Sequence, residues 1–288
     1  MGGRRTLLTG WFSFLHGEIT AGDTLALRHV QAMLDSAGIE YDTAWSPGFR
    51  SGALSLDTAD PEDYSRLLFI CGPLHGPQIA ALHERFAHCY RVAVGTTTID
   101  PGDRAVSGFH RVLGRDGPGS LRDRLDLAAG APPEETVPVT GVVLTGGQRE
   151  YGRLRRHDRV AETVTTWLAG KDCARLEVDT RLDAGDWRHC ASAGQYLSVV
   201  QRLDVVVTDR LHGLVLALRC GVPALAVDPV EGGAKVTAQA RVCRWPALVP
   251  VEGLDRARLE QWWRWCLGTG RELAERRSLE FRARRPVG

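Results

Sequence analysis

No stretch of this chain approaches the ~20 consecutive apolar residues needed to cross a bilayer, so a helical membrane protein is not expected. Its seven cysteines are odd in number and never spaced Cys-x-x-Cys, which argues against a disulfide framework and a zinc site. Cys71 and Cys220 stand in apolar contexts and read as small buried residues, so a reducing cytoplasm is the expected compartment. No His, Asp and Glu cluster has ligand spacing, so neither a metal nor a resident cofactor is expected. A net charge of only +1 argues against a general polyanion binder, and no nucleic-acid partner is expected. The opening apolar run is short and broken by Gly10, Ser13 and His16, so it reads as a first strand instead of a secretory signal. Internal repeats and low-complexity tracts are lacking too.

What is there is the raw material of two cores. The chain has 288 residues, 43% of them hydrophobic, and at ~150 residues per domain it predicts about two domains. Strands and helices alternate: strand Arg5 to Phe12, helix Asp23 to Ala37, strands Ile39 to Ala44 and Tyr64 to Cys71, helix Gln78 to His88. Strands Arg91 to Gly95 and His110 to Gly114 follow, then a helix near Ser120 to Ala128. After a Pro-rich linker at Ala131 to Glu135 the alternation restarts: strand Gly141 to Thr145, helix Arg155 to Ala169, strand Ala174 to Val178, helix Cys190 to Arg202. The reading is α/β: two Rossmann-like domains, 1–133 and 134–253, with parallel sheets facing a cleft. A helical segment, 254–288, is expected to pack back across the first domain, with Trp262, Trp263 and Trp265 as its packing face. The basic tail, Arg276 to Arg285, reads as a solvated helix face.

The most telling residues are Thr208-Asp209-Arg210-Leu211-His212-Gly213. Leu203 to Val207 reads as a buried strand, and Leu211 to Cys220 as a helix closed by Gly221 and Pro223. Thr208 or Asp209 is the expected cap, which sets Arg210 and His212 at the first turn. Free N–H groups and the positive end of the helix dipole favour an anion there. An arginine and an imidazole at such a spot suit chemistry on a phosphate or carboxylate. A surface ion pair for Arg210 and a packing role for His212 are the plain alternatives.

Asp-Arg-Leu-His-Gly, the apolar helix, Gly-Val-Pro and the strand Ala224 to Val227 resemble the C-terminal signature of polysaccharide pyruvyltransferases. Arg115-Asp116 ahead of Ser120 is similar to that family's Arg-Asp-x-x-Ser element, with one extra residue before the serine. Gly22-Asp23 resembles its Asn-x-Gly-Asp element, with Thr20 where asparagine is usual. Gly72-Pro73-Leu74-His75-Gly76 stands where members carry paired glycines, with Pro73 replacing one.

The resemblance implies a two-domain, glycosyltransferase-B-like fold and transfer of a pyruvyl group from phosphoenolpyruvate to a sugar or other small acceptor. It implies His212 as the proton donor, Arg210 beside it, and Arg115 and Lys235 as further charges on phosphoenolpyruvate. A helix N-terminus disfavours protonated histidine, so His212 is expected to act mainly once the anionic ligand is bound. Asp23, His75 and Thr97 are acceptor-side candidates, although helix capping, solvation and turn chemistry explain them equally simply. The Gly146-Gly147 loop is a weak phosphate cradle. A nucleotide-sugar glycosyltransferase is the alternative enzyme, against which stands Leu216 where such enzymes commonly place a glutamate on the helix. A catalytically silent binding protein is the third reading, and association into a homo-oligomer is left open.

Overall fold

The computed structural model describes residues 5–118 and 122–283. The chain divides into two compact units, Met1–Glu134 and Glu135–Gly288. The first contains β1 (Arg5–Thr9), α1 (Ala21–Ser36), β2 (Tyr41–Thr43), β3 (Tyr64–Ile70), β4 (Pro73–Leu74) and α2 (Pro77–Arg85). It continues with β5 (Tyr90–Val94), β6 (Thr97–Thr98), α3 (Arg104–Ser107) and β7 (Arg111–Leu113). The second holds β8 (Val139–Val143), α4 (His157–Ala169), β9 (Ala174–Glu177), α5 (Ala193–Val200), β10 (Val205–Thr208) and α6 (Leu211–Arg219). It ends in β11 (Ala224–Asp228), α7 (Lys235–Val242), β12 (Leu248–Pro250), α8 (Arg256–Leu267) and α9 (Thr269–Ala283).

Local chemistry explains these elements. Thr20 caps α1, and the helix buries Ala26, Leu27 and Val30 along one stripe. Pro77 opens α2, where a missing N–H costs nothing, and Ile79, Leu82 and His83 form its inward face. In the second unit β10 and β11 are buried along their whole length, as the continuous apolar runs of a sheet covered on both faces require.

Each unit has one five-stranded sheet, and every strand pair in both is parallel. The orders are β2-β1-β3-β5-β7 and β12-β11-β10-β8-β9. Read from the edge strand β9, the second order repeats the first. In both units the chain steps from its first strand to one side, then crosses to the other. That reversal leaves a crevice beyond the strand ends, between β1 and β3 in one unit and between β8 and β10 in the other. The α/β reading with two parallel sheets is therefore borne out.

Several boundaries differ from the sequence reading. The first strand stops at Thr9, and Trp11–Ser13 is a single 3-10 turn. The helix expected near Ser120 to Ala128 is replaced, among the described residues, by one 3-10 turn at Leu127–Gly130; Ser120 itself lies outside them. There Asp126 caps the turn through the Ala128 N–H and turns its other oxygen to Arg115. The final segment is two helices broken at Gly268, grouped with the second unit. Ser278 of α9 donates to the Arg219 carbonyl at the end of α6 (2.6 Å), and Trp263 meets Trp167 edge to face. No helix among the described residues is long and apolar enough to cross a membrane.

Candidate functional site

At the reversal point of the second sheet, β10 delivers Asp209, Arg210 and His212 beside the Thr145–Gln148 loop that follows β8. Neither Thr208 nor Asp209 caps α6. Arg210 itself occupies the N-cap position, with no side-chain cap. Thr208 is fully buried, and its hydroxyl is taken up by the Val143 carbonyl (2.8 Å) and the Arg210 N–H (2.9 Å). The first turn of α6 thus keeps the uncapped N–H groups that an anion would accept from. Gly213 is required there: a Cβ would stand 2.1 Å from Thr208 Oγ1, so only glycine lets α6 start so close to β10.

Arg210 uses one end of its fork on the protein. Its Nη1 donates to Asp179 and to Thr180 Oγ1 (2.8 Å), while Nε and Nη2 have no partner among the described residues. Burial works to raise Asp179, but the Arg181 backbone N–H and the Arg210 charge outweigh it and hold the carboxyl below its ordinary range. His212 is exposed in the same first turn, and its ring makes no hydrogen bond among the described residues. The plain alternative for Arg210, an ion pair, is thus half true, and that for His212, a hydrogen-bonded packing residue, is not.

Two buried titratable groups lie close by. Asp209 is fully buried; its Oδ1 accepts from Thr145 N–H (2.9 Å), while Oδ2 has no partner. Burial pushes this carboxyl up to about 7, against the opposing pull of the Thr145 N–H and Arg210. His157, fully buried at the start of α4, approaches Gln148 Oε1 (3.3 Å) and is pushed down by burial and by the Arg155 charge. Arg155 fixes the Gly-Gly loop by donating to the carbonyls of Gly146 (2.6 Å) and Gly147 (3.1 Å).

At the next strand end, Asp228 is fully buried and accepts from the N–H groups of Val230, Ala234 and Thr237. This carboxylate organises the start of α7, whose first residue is Lys235. The lysine ammonium lies 3.9 Å from Glu150 and 5.7 Å from the Tyr151 ring centre.

The first-unit candidates are more fully committed to their own fold. Arg115 spends all three guanidinium nitrogens, on Asp116 (2.8 Å), Asp126 and Thr97 Oγ1 (2.9 Å). The Thr97 hydroxyl in turn hydrogen-bonds Asp116, which with Arg115 holds that carboxyl low. Asp23 closes a capping box, accepting from the Thr20 N–H (3.1 Å) and hydroxyl (2.8 Å). The Thr20 departure from the family pattern is thus absorbed as a cap. His75 is exposed and packs on Trp11 at 5.3 Å between ring centres. The structure joins Arg115 with Thr97, and keeps Asp23 and His75 in contacts of their own.

The sequence reading missed Asp209, Asp179 and His157 as members of the site. Asp209 stood inside the quoted motif, so a buried acid at a strand end was the available signal. Asp179 is 31 residues from Arg210, and only the sheet order brings them together. No group of three or more potential metal-ligating side chains occurs among the described residues.

No curated protein matches the chain. Solved structures with a similar fold include the kitacinnamycin glycosyltransferase, 14% identical, covering 96% of this chain and 94% of that one, TM-score 0.36. The calicheamicin glycosyltransferase is 15% identical, with 97% and 95% covered and TM-score 0.35. A UDP-GlcNAc 2-epimerase from Methanocaldococcus jannaschii is 10% identical, with 96% and 99% covered and TM-score 0.34. A family model gives a more local result, and it supports a transferase. Residues 180–229, from the residue that holds Arg210 to just past β11, match the model of the polysaccharide pyruvyl transferase family.

Proposed function

We propose that the chain is a pyruvyltransferase that moves the pyruvyl group of phosphoenolpyruvate onto hydroxyls of a sugar or sugar-like acceptor, releasing phosphate. The observation that carries the reading lies inside the matched segment: a half-free Arg210 fork and the His212 ring flank an uncapped helix start. Phosphoenolpyruvate is an anion with a carboxylate and a phosphate. The Nε and Nη2 edge of Arg210 and the first-turn N–H groups of α6 suit those oxygens. Lys235 adds a point charge from the next strand end.

In this mechanism His212 acts as the acid and gives a proton to the methylene carbon. The double-bond electrons form the new C–H bond and leave a cationic carbon bearing carboxylate and phosphate-ester oxygen. One acceptor hydroxyl adds there and passes its proton to the now neutral His212. Phosphate leaves with the C–O bonding pair, and a second hydroxyl adds to the cation so formed and gives its proton to the released phosphate, closing a cyclic ketal. Arg210 and Lys235 stabilise the departing phosphate. Arg115 joins the ligand only by exchanging Asp116 or Asp126 for it. Asp23, His75 and Thr97 remain the acceptor-side residues of the proposal, with His75 the most accessible.

The test is calorimetric titration with phosphoenolpyruvate and, separately, with nucleotide sugars, alongside phosphate release with a saccharide panel. Saturable phosphoenolpyruvate binding that weakens in Arg210→Ala is the expected result. Binding of a nucleotide sugar alone overturns the proposal in favour of a glycosyltransferase. Arg115→Ala run in parallel tells whether the first unit contributes to the donor.

A further inference from the structure

A groove along the outer face of α1 uses none of the residues assigned above. Its volume is ≈ 840 Å³, and it is lined by α1 from Ala21 to Asp35, by Tyr41, by Trp45, Phe49 and Arg50 of the segment after β2, and by Pro132 and Glu134. Fourteen helical steps at 1.5 Å give it a length of about 21 Å.

Arg50 is the unusual member. Its guanidinium carbon lies 3.7 Å from the centre of the Trp45 ring and 5.9 Å from that of Phe49. Its side chain has no acid and no hydrogen-bond acceptor among the described residues, whereas the other cation of the groove, Arg28, is paired with Glu134. A guanidinium stacked on a ring keeps its N–H groups in the plane of the stack, pointing outward. The stacking has already removed much of the side chain's freedom, so less is lost when a ligand binds. Such a fork matches a carboxylate or a phosphate in pairs.

The rest of the groove excludes a bare anion as the best fit. Phe49 is 51% exposed and offers an apolar face beside the fork. The lining also holds Asp35, which hydrogen-bonds the Tyr41 hydroxyl, Gln31, which donates to Thr43 Oγ1, and Glu134, whose carboxylate is taken by Arg28. A cationic fork, an aromatic face and carboxylate and amide groups in one groove correspond to a molecule with an acidic group, an apolar ring face and hydroxyls. We infer that this groove binds an acidic saccharide, a sugar ring carrying a carboxylate or a phosphate, with Arg50 holding the anion and Phe49 under the ring. This inference goes beyond the pyruvyl reading and does not depend on it.

The experiment is titration of the full chain with glucose, glucose 6-phosphate, glucuronate and inorganic phosphate, all without phosphoenolpyruvate. At least one charged sugar binds ten times or more tighter than glucose and than inorganic phosphate. Which of the two does so separates phosphate from carboxylate. Arg50→Gln loses that preference at least tenfold with an unchanged melting temperature, and Arg50→Lys, which keeps charge without the fork, falls between. Unchanged binding in Arg50→Gln, no preference over glucose, or inorganic phosphate binding as tightly as the sugar phosphate each overturns the assignment. Phosphoenolpyruvate is titrated as a separate arm. Its loss in Arg50→Gln would move Arg50 to the donor site and also overturn the inference. Its failure to bind the native chain would count against the pyruvyl reading alone.

Discussion

The two units share a strand order and therefore a crevice at the same topological place, yet they fill it in opposite ways. In the first unit Trp11, just past β1, reaches across to the segment that follows β3. Its indole donates to the Pro73 carbonyl (3.0 Å) and lies so near Gly72 that a Cβ there would come within 2.3 Å of the ring. In the second, the same point holds a buried acid, a half-free arginine, an exposed histidine and an uncapped helix. The topology supplies a gap, and side chains decide whether it is bridged or left open.

The largest way to break this contrast is His212→Ala. If His212 is the general acid, as proposed, its loss costs about 10²–10⁴-fold in phosphate release while phosphoenolpyruvate binding stays within a few-fold. Trp11→Phe at the matching point of the first unit should leave turnover largely intact. Retention of near-native rate by His212→Ala would remove the acid role. Asp209 gives a pH signature to one crevice only. Its folded value, about 7, lies above its ordinary 3.8, so the folded protein keeps this proton longer than the unfolded chain. The stability it contributes is full below about 4 and is lost as pH rises to about 7, as much as about 4 kcal/mol across that window. Asp209→Asn should flatten the pH dependence of denaturant midpoints between those limits. An unchanged slope would mean that the group titrates normally.

Arg210→Ala should weaken phosphoenolpyruvate about 10–100-fold, the scale of a lost charged hydrogen-bond pair. Gly213→Ala drives a methyl into the Thr208 hydroxyl and should destabilise the second unit by about 1–3 kcal/mol, read from its melting transition. Smallest is Asp23→Ala, which opens the α1 capping box for about 0.5–1 kcal/mol and leaves phosphoenolpyruvate affinity unchanged.

Most strands and helices were legible because their apolar periodicity and their turn residues agree. Misread positions are those where a polar group answers to something distant in sequence. Thr208 looks like a cap, but a residue at the end of a buried strand spends its hydroxyl on the neighbouring strand, here at Val143. Arg115 looks like a free ligand for an anion, but the return of the chain at Asp126 supplies a carboxylate that no local pattern announces. Arg210 and His212 were legible because the strand, turn and helix that present them are contiguous. The Asp179 partner was not, because it arrives from the end of β9, which lies beyond β8 in the sheet. The α1 groove was hidden for the same reason, since Arg50 matters only through the ring it lies on.

The Asp228 carboxylate turns an apparently loose segment into a fixed one. Glu231-Gly232-Gly233-Ala234 carries two adjacent glycines, yet one buried side chain ties the residue before it, its last residue and the first turn of α7 to the sheet. The amides of Val230, Ala234 and Thr237 should therefore exchange with deuterium as slowly as those of a core helix. In the proposed site Lys235 would then work from an anchored base, with any adjustment to a bound anion left to its own four-carbon stem.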